Sequence, residues 1–168
     1  FSKQAMLRLD VWEISLLDTP GHVDFSAEME RTLQVLDYAV LVISGADGVQ
    51  GHTETLWRLL KRYQVPAFLF VNKMDQEGTD RQKLLAEMQK RLDGNCVDFS
   101  ADLTNAEEKA VFLENVAMCE EKLLENYLEN GKVEAGKIRS LIRKRQLFPC
   151  YFGSALKQEG IDSFLEGL

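Results

Sequence analysis

Ala67-Phe68-Leu69-Phe70-Val71-Asn72-Lys73-Met74-Asp75 is the stretch that decides the fold. Its first five residues are apolar without alternation, the mark of a short strand covered on both faces, as in a parallel sheet. It then breaks into Asn72-Lys73-Met74-Asp75, a turn-rich end that carries a carboxylate. On its amino side Val65-Pro66 closes a helix expected from about Thr53 to Tyr63, with Leu56, Leu59, Leu60 and Tyr63 on one face. Before that helix lies a loop from Ser44 to Gly51 with glycines at 45, 48 and 51. It is preceded by Tyr38-Ala39-Val40-Leu41-Val42-Ile43, a second apolar run that reads as a strand buried on both faces.

On the carboxyl side, Asp80 to Leu92 has helical spacing, with Leu84, Leu85, Met88 and Leu92 inward. Asn95 to Phe99 reads as a short strand. Asn105 to Gln146 is helical in pattern and heavily charged, with breaks near Met118-Cys119 and at Gly131. Leu147 to Phe152 reads as the last strand and ends at Gly153-Ser154-Ala155. Gly160 to Leu168 starts a closing helix with Ile161, Phe164, Leu165 and Leu168 inward. At the other end of the chain, Lys3 to Leu9 and Val11 to Leu17 suggest a hairpin. Asp24 then caps a helix that buries Phe25, Met29, Leu33 and Leu36.

Strands alternating with helices predict a three-layer α/β fold with a mostly parallel sheet. Ligands of such sheets sit beyond the carboxyl ends of the strands. Three strands end in turn-rich signals: Asp18-Thr19-Pro20-Gly21, Asn72-Lys73-Met74-Asp75 and Gly153-Ser154-Ala155. All three are expected on one edge of the sheet.

The chain has 168 residues, enough for one globular domain with its own core. Its net charge of −7 argues against a general, non-specific grip on nucleic acid, DNA included. The three cysteines, Cys96, Cys119 and Cys150, show neither metal-ligand spacing nor a disulfide framework, which fits a reduced cytoplasmic compartment. No apolar run approaches the roughly 20 residues of a membrane span. The chain begins at Phe1 inside a strand pattern, which suggests a piece of a longer polypeptide.

Asp18, at a strand end, can hold Mg²⁺, usually through a water because that ion dehydrates reluctantly. Gly21 lets the backbone approach a terminal phosphate and donate its N–H. His22 beside it can orient an attacking water. The plainer alternative is a Pro-Gly turn in which Asp18 satisfies backbone amides. In the Asn72–Asp75 tetrad, a carboxylate accepting two parallel N–H bonds selects guanine, which offers a ring N–H beside an exocyclic amine; adenine lacks that pair. Asn72 can tie neighbouring loops together, and the Lys73 stem can lie over the base. A polar loop opening the next helix is the alternative. Ser154 and Ala155 are small enough for a backbone N–H to reach a base oxygen, but they also suit any strand-to-helix turn.

Gly131-Lys132-Val133-Glu134-Ala135-Gly136-Lys137-Ile138 nearly spells a phosphate-binding loop. Ile138 stands where a Mg²⁺-binding hydroxyl belongs, and Asn126 to Asn130 before it reads as helix, so a turn between helices is expected. His52 reads as an exposed or capping residue. Lys137, Arg139, Arg143, Lys144 and Arg145 read as a solvated helix face, with contact to RNA or protein as the alternative.

With its three strand-end motifs in this order, the chain resembles the G domain of translational GTPases over nearly its whole length. Asp18-Thr19-Pro20-Gly21-His22-Val23-Asp24-Phe25 is similar to the translational signature in which histidine follows the D-x-x-G motif. Glu28 to Arg31, Val35 to Asp37, Gly48 to Gln50, Thr53 to Arg58 and Phe70 to Asp75 resemble elongation factor G. Two features resemble the ribosomal protection proteins of tetracycline resistance: Gln76 after the tetrad, and the modest span between Asp75 and Ser154. Release factor 3 and its relatives are a third possibility.

The resemblance implies a P-loop-NTPase-type G domain over residues 1–168 with a mainly helical insertion at about 100–146. It implies GTP or GDP with Mg²⁺ as cofactors, the ribosome as partner, and GTP hydrolysis driving a conformational change in translation. Asp18 would hold Mg²⁺ through water, Gly21 would sense the γ-phosphate, and His22 would position the hydrolytic water. Asn72, Lys73 and Asp75 would read guanine, with Ser154 and Ala155 in support. The family's P-loop strand and first switch are expected before Phe1, so this piece alone is expected to bind GTP poorly and to be inactive. A degenerate G domain serving only as a ribosome- or partner-binding module is the alternative.

Overall fold

The computed structural model describes residues 3–9, 12–19 and 31–168. They fall into two compact units, Phe1–Leu36 and Asp37–Leu168. In the first, β1 (Lys3–Leu9) and β2 (Trp12–Asp18) form the expected antiparallel hairpin, with Leu9 opposite Trp12 and Lys3 opposite Asp18. Arg8 and Glu13 face each other across the strands as an ion pair at 3.8 Å. Most of the helix predicted from Asp24, with Phe25 and Met29, lies outside the described residues. Residues 31–33 are helical, and Leu33 is buried.

The second unit alternates strand and helix. Its elements run β3 (Ala39–Ser44), α1 (Gly51–Arg62), β4 (Ala67–Asn72), α2 (Arg81–Arg91), β5 (Cys96–Asp98), α3 (Ala106–Ala117), α4 (Glu121–Asn130), α5 (Ala135–Arg143), β6 (Phe148–Phe152) and α6 (Ile161–Gly167). The strands form one parallel sheet in the order β3-β4-β6-β5. The apolar run Ala67–Val71 is its centre: Ala67, Leu69 and Val71 are fully buried. Each large side chain so removed from water contributes roughly 1.5–3 kcal/mol.

Strand alternation divides the sheet's faces. Phe68, Phe70, Val97 and Tyr151 pack with Phe112, Leu123, Leu141 and Phe164 from the helices after β5 and β6. On the opposite face Trp57 of α1 meets Phe148 edge-on at 4.7 Å between centroids, and Arg81 of α2 lies over Phe152. Helices therefore cover both faces, as the alternation predicts.

The caps explain the helix boundaries. The Asp80 carboxylate accepts from the Gln82 and Lys83 amides, and Asn105 Oδ1 from Glu107 and Glu108. Gly131 ends α4 in the left-handed region at φ 64°. The near-P-loop at Gly131–Ile138 is thus a helix-to-helix turn, as its context indicates. The break near Met118-Cys119 falls where expected, between α3 and α4.

Three expectations are corrected. Leu168, expected inward on the closing helix, is 45% exposed. β3 is not buried on both faces. Leu41 and Ile43 are buried, but Val40 and Val42 are 37% and 60% exposed. β3 is an edge strand among the described residues, and an apolar run reads alike whether one or both faces are covered. The inward face of α1 is also rotated. Thr53, Trp57 and Leu60 are buried, whereas Leu56, Leu59 and Tyr63 are only partly so. Trp57 turns inward on this face, its ring packed on Phe148 and its indole N–H donating to Leu92 O at 2.9 Å.

Candidate functional site

Because every ladder in the larger sheet is parallel, the carboxyl ends of β3, β4 and β6 share one edge. Asn72 ends β4, and Gly153-Ser154-Ala155 follows β6 directly. Asp18 ends β2, whose ladder among the described residues is with β1 alone. The expected single sheet edge therefore holds for two of the three ends; the third belongs to the antiparallel hairpin.

Asn72 fastens the two loops. Its Oδ1 accepts from the Lys73 amide at 2.8 Å and from the Ala155 amide at 2.9 Å. Met74 N–H donates to Gly153 O at 3.0 Å, and Gly153 N–H to Val71 O at 2.9 Å. On the other side Gly45 N–H donates to Asn72 O at 2.7 Å. A Cβ on Gly45 would sit 3.1 Å from the backbone Asn72 O and 2.9 Å from the flexible Met74 Sδ, so any larger residue here must push the β4 end back by a few tenths of an ångström. Lys73 has φ 64°, a left-handed conformation that a side chain adopts only under surrounding constraint, and it is exposed.

Asp75 completes the group. Its side chain is 17% exposed, and Lys157 Nζ lies 3.8 Å from its Oδ2. Its carboxyl pKa is lowered from the ordinary value, chiefly by the hydrogen bond from the Ser154 hydroxyl. Desolvation opposes the shift; its own backbone N–H and the Lys157 charge add to it. Ser154 is itself buried, in a narrow antiparallel bridge to Glu159. Ser154 N–H donates to Glu159 O, and Glu159 N–H to Ser154 O, each at 3.0 Å. The folded carboxylate is favoured over the unfolded one above the ordinary Asp pKa of about 3.9. That advantage disappears only as pH falls through the lowered value. Ser154→Ala removes the largest cause, so the Asp75 pKa should rise in a carboxyl NMR titration; an unmoved value would contradict this assignment.

The sequence did not flag three contributors. Lys157 pairs with Asp75. The Thr79 hydroxyl lies 2.8 Å from Met74 O and 2.9 Å from Gln76 O and shares its one proton between them, closing the loop after the tetrad. Gly45 packs against the same loop. Lys157 had a usable signal, a cation two residues after Ala155 on the strand end opposite the acid; Thr79 had a local one, a hydroxyl three to five residues after the carbonyls it reaches, whereas the Gly45 contact is tertiary and had none.

Asn72, Lys73, Met74, Asp75, Ser154 and Ala155 are thus brought together. The Ala155 amide, proposed from sequence as a donor to a base oxygen, is engaged by Asn72 here. Ser44 Oγ, on the same edge at the end of β3, is buried with no hydrogen-bond partner among the described residues. Asp18 and Thr19 are exposed, and Asp18 makes no ion pair among the described residues. Pro20, Gly21 and His22 lie outside the described residues. His52 is exposed in the first turn of α1.

The arrangement can hold a planar ligand that offers two parallel N–H groups to an ionised carboxylate. Comparisons with known proteins point the same way. The profile of the elongation factor Tu GTP binding domain matches residues 2–168. Elongation factor G of Mycoplasma pneumoniae is 34% identical over a 198-residue alignment that takes in 92% of this chain and 29% of that protein. The crystal structure of ttk003000868 from Thermus thermophilus superposes with a TM-score of 0.78 at 24% identity, over 98% of this chain and 31% of that one. The chain thus spans about a third or less of the length of these relatives.

Proposed function

The chain belongs to the elongation factor Tu GTP binding domain family, and from that premise we propose that it is the guanine-nucleotide part of a ribosome-associated GTPase acting in translation. One observation carries the reading: Asn72 Oδ1 joins the loop after β4 to the loop after β6 and so presents an ionised Asp75 on a fixed frame. Asp75 then accepts the paired N–H groups of guanine. The Asn72 amide NH₂ remains as a donor toward a ring nitrogen, and the Lys73 stem covers a base face. Ala155 supports the base by orienting Asn72, and Ser154 by holding the carboxylate ionised.

Residues at the end of β2 take the phosphate side of the proposal. The donor set suits Mg²⁺: Asp18 is an exposed carboxylate without an ion pair among the described residues. It would hold the ion through water, and the ion would neutralise phosphate charge. Gly21 would donate its N–H to the terminal phosphate, and His22 would orient the attacking water. Within the elongation factor G-like group, Gln76 and the modest helical insertion fit the tetracycline-protection type.

The full-length protein should hydrolyse GTP slowly alone and at least about tenfold faster with ribosomes, since general-base positioning contributes roughly 10²–10⁴-fold once completed. Guanine-nucleotide binding without any ribosome stimulation would leave a binding module and remove the enzymatic reading.

A further inference from the structure

We infer that the amino-terminal rim of the parallel sheet, opposite the edge that carries Asn72 and Asp75, is a docking surface for the phosphate backbone of structured RNA. Arg145 builds this rim. It leaves the end of α5 with φ 57°, stacks its guanidinium 5.1 Å from the ring centroids of both Trp57 and Phe148, and donates to Val65 O. Val65 follows α1 directly, so Arg145 draws the carboxyl-terminal turns of α1 and α5 together beneath the starts of β4 and β6.

The last two turns of each helix, with its cap, carry three exposed cations: Arg58, Lys61 and Arg62 on α1, and Arg139, Arg143 and Lys144 on and after α5. None of the six makes an ion pair among the described residues. Lys137, by contrast, is tied to Glu120 at 2.8 Å. Cations in a last helical turn complement the helix dipole, which accounts for Lys61, Arg62 and Arg143. It does not account for Arg58 and Arg139, which stand four residues before Arg62 and Arg143. Like-charge pairs at that spacing oppose helix formation.

The chain as a whole is acidic, at −7, so this concentration of uncompensated cations is a local feature. Two acids of neighbouring elements are engaged elsewhere: Asp93 acts on Arg145, and Glu54 is held by Arg91 at 2.8 Å. Four of the six cations are arginines, whose planar forks suit phosphate oxygens. RNA, as against another polyanion, is chosen because the proposal rests here on the translational reading; the cation cluster itself does not depend on it.

Fluorescence anisotropy of a labelled 20-base-pair RNA duplex, without nucleotide, tests the surface on the folded chain. Lys61→Glu/Arg143→Glu/Lys144→Glu should weaken binding at least tenfold at 50 mM salt. Their replacement by Gln should flatten the log K against log salt slope by about 2 to 3, near one per lost phosphate contact. Lys109→Glu/Lys122→Glu/Lys132→Glu changes the net charge equally at exposed lysines elsewhere and should cost less than threefold. Equal loss in both reversal sets, or no duplex binding by the unaltered chain, overturns the inference. So does displacement by poly-glutamate at a carboxylate concentration matched to phosphate, which would assign the rim to an acidic protein. None of these outcomes bears on guanine recognition, which the nucleotide affinities below read separately.

Discussion

Asp75→Asn in the full-length protein should weaken GDP binding by about 10²–10³-fold and improve binding of xanthosine diphosphate by a comparable factor. In the proposed site the wild-type carboxylate would face guanine's ring N–H and exocyclic amine with two acceptors. It is kept ionised first by the Ser154 hydroxyl, then by its own backbone N–H and Lys157. Asparagine keeps the shape but turns one acceptor into a donor. Against guanine that donor meets another donor, and both lose their partners. A site built around such a pair discriminates far more strongly than an apolar pocket of the same size. Xanthine has a carbonyl where guanine has the amine, so the new donor finds an acceptor. The expected loss amounts to roughly 3–4 kcal/mol, at 1.4 kcal/mol per decade. Because the Asp75 pKa is lowered, its carboxylate is the ionised acceptor throughout the neutral and mildly acidic range. Competition titrations with the two nucleotides decide the matter: GDP affinity within twofold of wild type would remove Asp75 from base recognition.

The second large effect is expected at His22. His22→Ala in the full-length protein should lower ribosome-stimulated GTP turnover by about 10²–10⁴-fold while GTP affinity stays within a fewfold. That range is what a positioned proton-transfer group contributes to a hydrolytic step. The residue lies outside the described part of the structure, and its role follows from its place in the chain. It follows Gly21, whose N–H suits a terminal phosphate, and lies four residues after Asp18, a carboxylate suited to the metal. In the proposed arrangement an imidazole at that point would act on the water and not on the bound nucleotide. Removing it should therefore change turnover and leave KM and nucleotide affinity nearly alone. Multiple-turnover hydrolysis with ribosomes, beside nucleotide titration of the same variant, separates the two. Unchanged turnover would take His22 out of the mechanism.

Much of this could be read from the residues in order. Ala67–Val71 has no polar interruption, and the burial on both faces expected of it is what the sheet shows, while Asp80 and Asn105 stand where their helices begin and cap them. Asn72 was expected to tie neighbouring loops, and it does so through Ala155. What escaped was whatever depends on partners distant in sequence. Trp57 turns inward on α1 against Phe148 and Leu92 O, and no periodicity among four apolar residues records those contacts. Arg145 reads as one more cation on a charged helix, yet it lies between Trp57 and Phe148. The exposure of Val40 and Val42 depends on what covers β3, and the run Tyr38–Ile43 is silent on that point.

That uncovered strand has a consequence for how the protein behaves in concentrated solution. β3 offers one unpaired row of backbone donors and acceptors among the described residues, with exposed β-branched side chains beside it. Such an edge is a template on which another extended segment can pair, and native chains blunt these edges with charge. Here the blunting stands only at the two ends, Asp37 before the strand and Asp47 after it. The purified chain should therefore self-associate increasingly with concentration, and Val42→Lys, at an exposed position, should reduce that tendency in light scattering.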